Sequence, residues 1–343
     1  MNHVKKSLIT IAFLVVILGI AGQNILGNYY YNQQSSSNSK TSSSVVYIEN
    51  GVSGDVSVTD PFLNRTIDIN VIYDPLDSGS GFIVNSNGYI VTAYHIIGDP
   101  QTLQNQMTLK VMNSTDIQLY VERAAVTGYI SKYNPQLGSE LLTNNLPGNP
   151  TIIQSQPDTN STTDMLIQRN LLNVKSSQQL IKVNLPDSSS GNSMDANLVD
   201  VGNSDADEDV ALLKVNTLFN KLPALVVNSK SPSVGDELQI YGYPVVTNDM
   251  YSDVNPSTIK PSTTTGVLTA EIPNNNTIYY ETNAVTEHGY SGGPVLDAQK
   301  SVLGIIIYSI STNQTSSGIS SLFLSSQYII KICDKNNVPI AAI

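Results

Sequence analysis

Ser291 stands in the run His288-Gly289-Tyr290-Ser291-Gly292-Gly293-Pro294, one hydroxyl among three glycines, with apolar stretches on either side. A serine hydroxyl is a weak nucleophile at its own pKa. It attacks an acyl carbon only when a neighbouring base takes its proton and an acid orients that base. Candidate bases are scarce, because His3, His95 and His288 are the only histidines. His95 follows Tyr89-Ile90-Val91-Thr92-Ala93-Tyr94, the second arm of a hairpin whose turn holds Asn87-Gly88. A histidine there is held by sheet yet faces a loop, which suits a catalytic base. Asp209 abuts Val210-Ala211-Leu212-Leu213-Lys214-Val215, a buried strand by length and branching. Its neighbours Asp205 and Asp207 read as an acidic turn. The order is therefore His95, Asp209, Ser291, with the first two 114 residues apart. Gly289 lets the backbone turn so that its N–H and that of Ser291 can converge on one carbonyl oxygen, an oxyanion hole. Gly292 and Gly293 allow close backbone passage behind Ser291, and Pro294 ends the loop. His288 sits three residues before Ser291 and reads as a rim residue rather than its base.

Bulk composition narrows the field. The 343 residues suffice for two modest domains or one two-barrel domain, and a hydrophobic content of 40% is enough for a real core. A net charge of -11 and a pI near 4.6 argue against nucleic-acid binding, which needs a basic patch to displace counterions. Cys333 is the single cysteine, so no intramolecular disulfide and no cysteine metal cluster can form. It reads as a buried apolar residue. No metal or cofactor is expected.

The elements that must position these residues come in a recognisable order. Lys5 and Lys6 precede an apolar run from Leu8 to Gly22, the pattern of an export signal or, extended to Gly27, of a spanning anchor. The flanking lysines orient the remainder of the chain outside the cytoplasm, so residues 1–27 are expected to be an uncleaved anchor or a signal peptide. A cleaved signal would make the protein secreted. Residues 28–44 are Ser-, Asn- and Gln-rich and read as a flexible tether. Sequons begin at Asn64, Asn113, Asn160, Asn275 and Asn313, consistent with an exported glycoprotein. From Val45 onward short Val/Ile/Tyr/Thr runs broken by Gly, Pro, Asn and Asp describe an all-β chain. Strands are expected at Met107 to Met112, Gln118 to Val121, Leu180 to Leu185, Ala196 to Val201, Leu222 to Val227, Leu238 to Tyr241, Thr263 to Ala270, Thr277 to Thr282, Ser301 to Ser309 and Ile319 to Leu324. Helices are expected at Asp164 to Leu172 and Ser325 to Asp334.

Three blocks in this order carry a family resemblance. Gly79-Ser80-Gly81-Phe82-Ile83-Val84 with Gly88 to His95, then Asp209 to Val215, then Gly289 to Pro294 followed by Val302-Leu303-Gly304-Ile305, resemble chymotrypsin-fold serine proteases. The HtrA/Deg-type branch is the most similar. The resemblance covers about Val45 to Asp334. It implies two antiparallel six-stranded β-barrels, here 45–220 and 221–343, with a C-terminal helix and the site in the cleft between them. It implies endopeptidase activity on unfolded or exported polypeptides, and homo-oligomers, often trimers. The chain departs from the pattern in two ways. The gap between His95 and Asp209 is long, so an insertion is expected at about 98–177 of the first barrel. No PDZ domain is expected after the closing helix. By the same resemblance Val285, Thr286 and His288 line the primary specificity pocket, and a valine at its base suggests a small or medium apolar side chain before the scissile bond. Tyr290 occupies the place where digestive relatives carry an aspartate, which argues against activation by a freed N-terminus. The competing readings are a protease-fold binding module without useful activity and a tethered adhesive module using the insertion as its interface.

Overall fold

The computed structural model describes residues 39–60, 65–98, 136, 172–186, 193–217, 221–244, 261–274, 277–311 and 319–343. Twelve strands form two closed barrels. The first is built from β1 (Val45–Asp60), β2 (Arg65–Asn85), β3 (Tyr89–Thr92), β4 (Leu172–Asn184), β5 (Met194–Val201) and β6 (Ala211–Val215), in the order β1-β2-β3-β6-β5-β4. The second is built from β7 (Glu237–Gly242), β8 (Ser262–Asn274), β9 (Thr277–Thr282), β10 (Pro294–Leu296), β11 (Val302–Ser311) and β12 (Ile319–Ser325), in the order β10-β11-β12-β9-β8-β7. The strand pairs are antiparallel. Closure pairs the edges that an open sheet would leave exposed.

Local sequence explains the main elements. The β2–β3 hairpin closes where expected, the Gly88 N–H donating to the Asn85 carbonyl at 3.0 Å. In β5, inward and outward residues alternate, as in a half-buried strand. Leu212, Leu213 and Val215 of β6 are all fully buried, because one face of the strand fills its barrel and the other lies against the remainder of the core. A one-turn helix α1 (Tyr94–Ile97) follows β3. The closing helix α2 (Ser326–Lys335) starts where the Ser325 hydroxyl accepts the Gln327 N–H, and it buries Tyr328, Ile329, Ile332 and Cys333. Burial pushes the Cys333 thiol up to about 12, so it acts as an apolar filler. One cluster of buried side chains runs from Ile48, Phe82 and Leu213 of the first barrel to Leu296, Ile305 and Leu324 of the second.

Several sequence expectations are corrected. β4 already begins at Leu172, so residues 172–177 belong to the barrel and not to an insertion. Leu222–Val227 is not a strand. It is the connection between barrels, with only Val227 bridging to Val302 and Ala342. The short β10 went unread because three residues carry too little periodicity. Leu172 itself is strand rather than helix; the rest of Asp164 to Leu172, the strands at Met107 to Met112 and Gln118 to Val121, the apolar run Leu8 to Gly22 and the asparagines of the five sequons lie outside the described residues. Among the described residues no helix is long and apolar enough to cross a membrane.

Candidate active site

His95 sits on α1, directly after β3, and Asp209 lies just before β6. Because β3 and β6 pair with Thr92 opposite Ala211, the two segments emerge side by side. Asp209 grips His95 at two points. Its Oδ1 accepts the His95 backbone N–H at 2.9 Å, and its Oδ2 lies 2.7 Å from Nδ1. An ionised carboxylate only accepts, so Nδ1 carries the hydrogen and Nε2 is left as the proton acceptor. Burial pulls the imidazole toward its neutral form, but the hydrogen bond and charge of Asp209, with a contribution from Asp77, outweigh it and hold the pKa above the usual histidine value. The position of α1 is itself held. Asn50 Nδ2 and Gln179 Nε2 both donate to the Ile97 carbonyl, at 3.1 and 2.9 Å.

Ser291 comes from the other barrel, on the loop between β9 and β10. Its carbonyl accepts the Ser80 N–H of β2 at 2.8 Å, which ties the loop to the barrel that carries His95. Gly292 has φ +81, and a Cβ there would lie 2.3 Å from Thr92 Oγ1 and 2.9 Å from the Ala93 nitrogen. Only glycine lets this loop come so close to the base of α1. The N–H groups around Ser291 are unequally used. Tyr290 donates to Glu287, Gly292 to Ile306 and Gly293 to Tyr290. Among the described residues, the N–H groups of Gly289 and Ser291 have no acceptor, the state an oxyanion hole requires before substrate arrives. Gly289 has φ +97, which the preceding turn needs and a side chain would resist. In this structure the Ser291 hydroxyl donates to the Ile307 carbonyl of β11 at 2.8 Å.

Residues 152–305 match the family model for the trypsin-like peptidase domain. The match spans a little under half of the chain and includes Asp209 and Ser291, while His95 lies ahead of it. Two closed six-stranded barrels with these segments at their junction are the chymotrypsin fold. Over residues 152–305 the chain is similar to trypsin-like peptidase domains.

The loop before Ser291 alternates between solvent and core. Val285, expected at the base of a pocket, is 51% exposed. His288 is exposed as well. Thr286 is buried, and its Oγ1 lies 2.8 Å from Ser321 Oγ, whose hydroxyl is 2.8 Å from the Ala284 carbonyl. Tyr290 is buried against Gly242 and packs into the core of the second barrel. Among the described residues no cluster of His, Cys, Asp and Glu could hold a metal ion.

The acid's own support was not legible in the sequence. Asp205 and Asp207 do lie on a turn, with a 3-10 segment at Ser204–Ala206. That turn is clasped from outside its barrel. The Thr277 hydroxyl donates to the Ala206 carbonyl, Tyr279 donates to the Asp207 carbonyl at 2.5 Å, and Asn274 Nδ2 donates to Asp207 Oδ2 at 2.9 Å. Glu208, next to the acid, is 6% exposed; its Oε1 accepts from Lys331 of α2 at 2.5 Å and its Oε2 from the Asn203 N–H at 3.2 Å. An acidic run of this kind ordinarily marks a solvated loop, so composition points away from these contacts.

Proposed function

We propose that the chain is a serine endopeptidase of the HtrA/Deg type in which Ser291 is the nucleophile, His95 the general base and Asp209 the acid that orients it. The observation that carries this is the double contact of Asp209 with His95, which leaves Nε2 as an acceptor on a segment whose start, at Thr92 and Ala93, meets the Ser291 loop at Gly292. In the reaction the Ser291 hydroxyl exchanges the Ile307 carbonyl for His95 Nε2. Oγ then attacks the scissile carbonyl carbon as its proton passes to the imidazole. The resulting oxyanion is received by the N–H groups of Gly289 and Ser291. Collapse breaks the C–N bond, and the amine leaves with the proton from His95. Water, deprotonated in turn by His95, attacks the acyl-enzyme ester and releases the acid and free Ser291.

The charged run Lys5-Lys6, the apolar residues after it and the Ser-rich segment support a catalytic domain outside the cytoplasm, tethered to a membrane or secreted. Unfolded or exported polypeptides are the substrates in this reading, and a homotrimer is the assembly. The loop before Ser291 has no buried carboxylate, in keeping with an uncharged side chain before the scissile bond.

The test uses the purified full chain in detergent, with a fluorophosphonate probe and fluorescent casein. Labelling and cleavage are expected for the wild type and neither for Ser291→Ala. Labelling that persists in the variant, or no turnover by the wild type, overturns the reading. The second outcome favours a binding module, whose hydroxyl would stay on the Ile307 carbonyl.

A further inference from the structure

Ser80 is fully buried in β2, and every polar atom it has is in use. Its hydroxyl lies 2.6 Å from the Gly289 carbonyl and 2.8 Å from the Tyr243 nitrogen. The Tyr243 N–H must be a donor, so the single hydroxyl proton goes to Gly289. Its backbone N–H donates to the Ser291 carbonyl at 2.8 Å, and its own carbonyl accepts from Thr92 Oγ1 at 2.7 Å. One residue of the first barrel therefore holds the carbonyls of two residues of the second. In both of those residues the N–H has no acceptor among the described residues.

We propose that Ser80 is a positioning residue for the oxyanion hole: its hydroxyl and N–H hold the 289–290 and 291–292 peptide planes, which bracket the plane carrying the Ser291 N–H and adjoin the one carrying the Gly289 N–H, so that both N–H groups stay aimed at one point. This rests on the peptidase reading above, in which those two N–H groups receive the oxyanion. The physical need is specific. Gly289 is a glycine at φ +97, and glycine resists peptide rotation less than any other residue. A loop that drifts by a fraction of an ångström loses much of its transition-state stabilisation, because donors help only at the position the oxyanion will occupy. Pinning the plane on the far side of the Gly289 Cα limits that freedom, and Ser80 does so from a fully buried position. The loop's other side is closed by β7, where Gly242 meets Tyr290 so tightly that a Cβ would lie 2.8 Å from its Cα. Ser80 touches neither His95 nor Asp209 in any hydrogen bond, so its effect is separable from theirs.

The experiment compares wild type and Ser80→Ala as full chains, using a fluorogenic peptide derived from the casein cleavage products. The expected result is a kcat lower by about 10- to 100-fold, a fraction of what losing one oxyanion donor outright removes, with KM within about twofold. Fluorophosphonate labelling slows in parallel. The pH midpoint of kcat/KM stays in place, because the base and its acid are untouched. An unchanged kcat overturns the proposal, and so does a shifted midpoint, which would place the damage at His95. Should Ser80→Ala fail to fold, Ser80→Cys keeps the side chain's shape with a much weaker donor; a several-fold loss of kcat at constant KM supports the proposal, and wild-type kcat in that variant overturns it. A wild type that neither labels nor turns over sinks the peptidase reading and this inference with it. An active wild type matched by Ser80→Ala sinks this inference alone.

Discussion

His95 is more than one-third exposed and Asp209 largely buried, at 42% and 16% of their side-chain surface, so the imidazole is the solvent-accessible member of the pair. The raised pKa of His95 has consequences of opposite sign for activity and stability. A base must be neutral, so kcat/KM should climb as pH rises through the pKa of folded His95, with a midpoint above the ordinary value near 6.5. A rate profile with its midpoint below that value would contradict the Asp209 contact. Because the protonated form is favoured more in the folded chain than in the unfolded one, the pair adds stability below the unfolded pKa. That contribution fades as pH rises through the folded pKa. Asp209→Asn should lower kcat by about 10³- to 10⁴-fold and move the midpoint down, because the amide neither carries charge nor favours the Nδ1–H tautomer. Steady-state rates between pH 5 and 9 check both expectations.

At the scale of elements, the turn at 203–209 shows how a short loop acquires a fixed shape. It carries the acid, yet the side chains holding it come from β8, β9 and α2. The Glu208–Lys331 pair has one buried partner and one mostly exposed, at 6% and 59% of side-chain surface. Truncating the lysine strands a buried carboxylate, which costs more than the pair contributes as a unit. Lys331→Met should destabilise the protein by about 1–2 kcal/mol, discounted for the exposed ammonium. The double variant Glu208→Gln with Lys331→Met should recover part of that loss. Urea melts of the two variants decide the matter. Equal destabilisation by both would mean that the charge itself is unimportant. None of this was legible in the sequence, where Asp205, Asp207 and Glu208 look alike; burial alone separates Glu208, and burial is set by a helix more than a hundred residues downstream.

At the scale of the molecule, one core cluster, from Val45 and Leu213 to Val302 and Ile329, spans both barrels, and a second lies within the second barrel around Ile240, Tyr280 and Phe323. Their junction is where the candidate site forms, so that site exists only while the barrels are docked. The barrels should therefore unfold together. Far-UV and near-UV circular dichroism and peptidase activity should be lost in one coincident urea transition. Separate transitions would show that the barrels are held mainly by the connecting chain rather than by the shared core.

The sequence by itself determined the parts whose signals are local. Alternation and β-branching marked most of the strands, Asn87-Gly88 marked the hairpin that leads into His95, and the amphipathic run after Ser325 marked the closing helix. The glycines around Ser291, with His95 and Asp209 upstream in matching blocks, singled out the residues on which the reading of function rests. Short or irregular segments escaped, as β10 and the connection at Leu222–Val227 did, because three residues or one isolated bridge leave no period to detect. Only the tertiary structure decided which groups meet across the chain. It set Asp209 against both the backbone and the ring of His95, buried Glu208 beneath Lys331, and brought Ser80 under Gly289 and Ser291. Those contacts join segments scores to hundreds of residues apart, and their geometry follows from barrel closure and shared burial, which no local run of residues encodes.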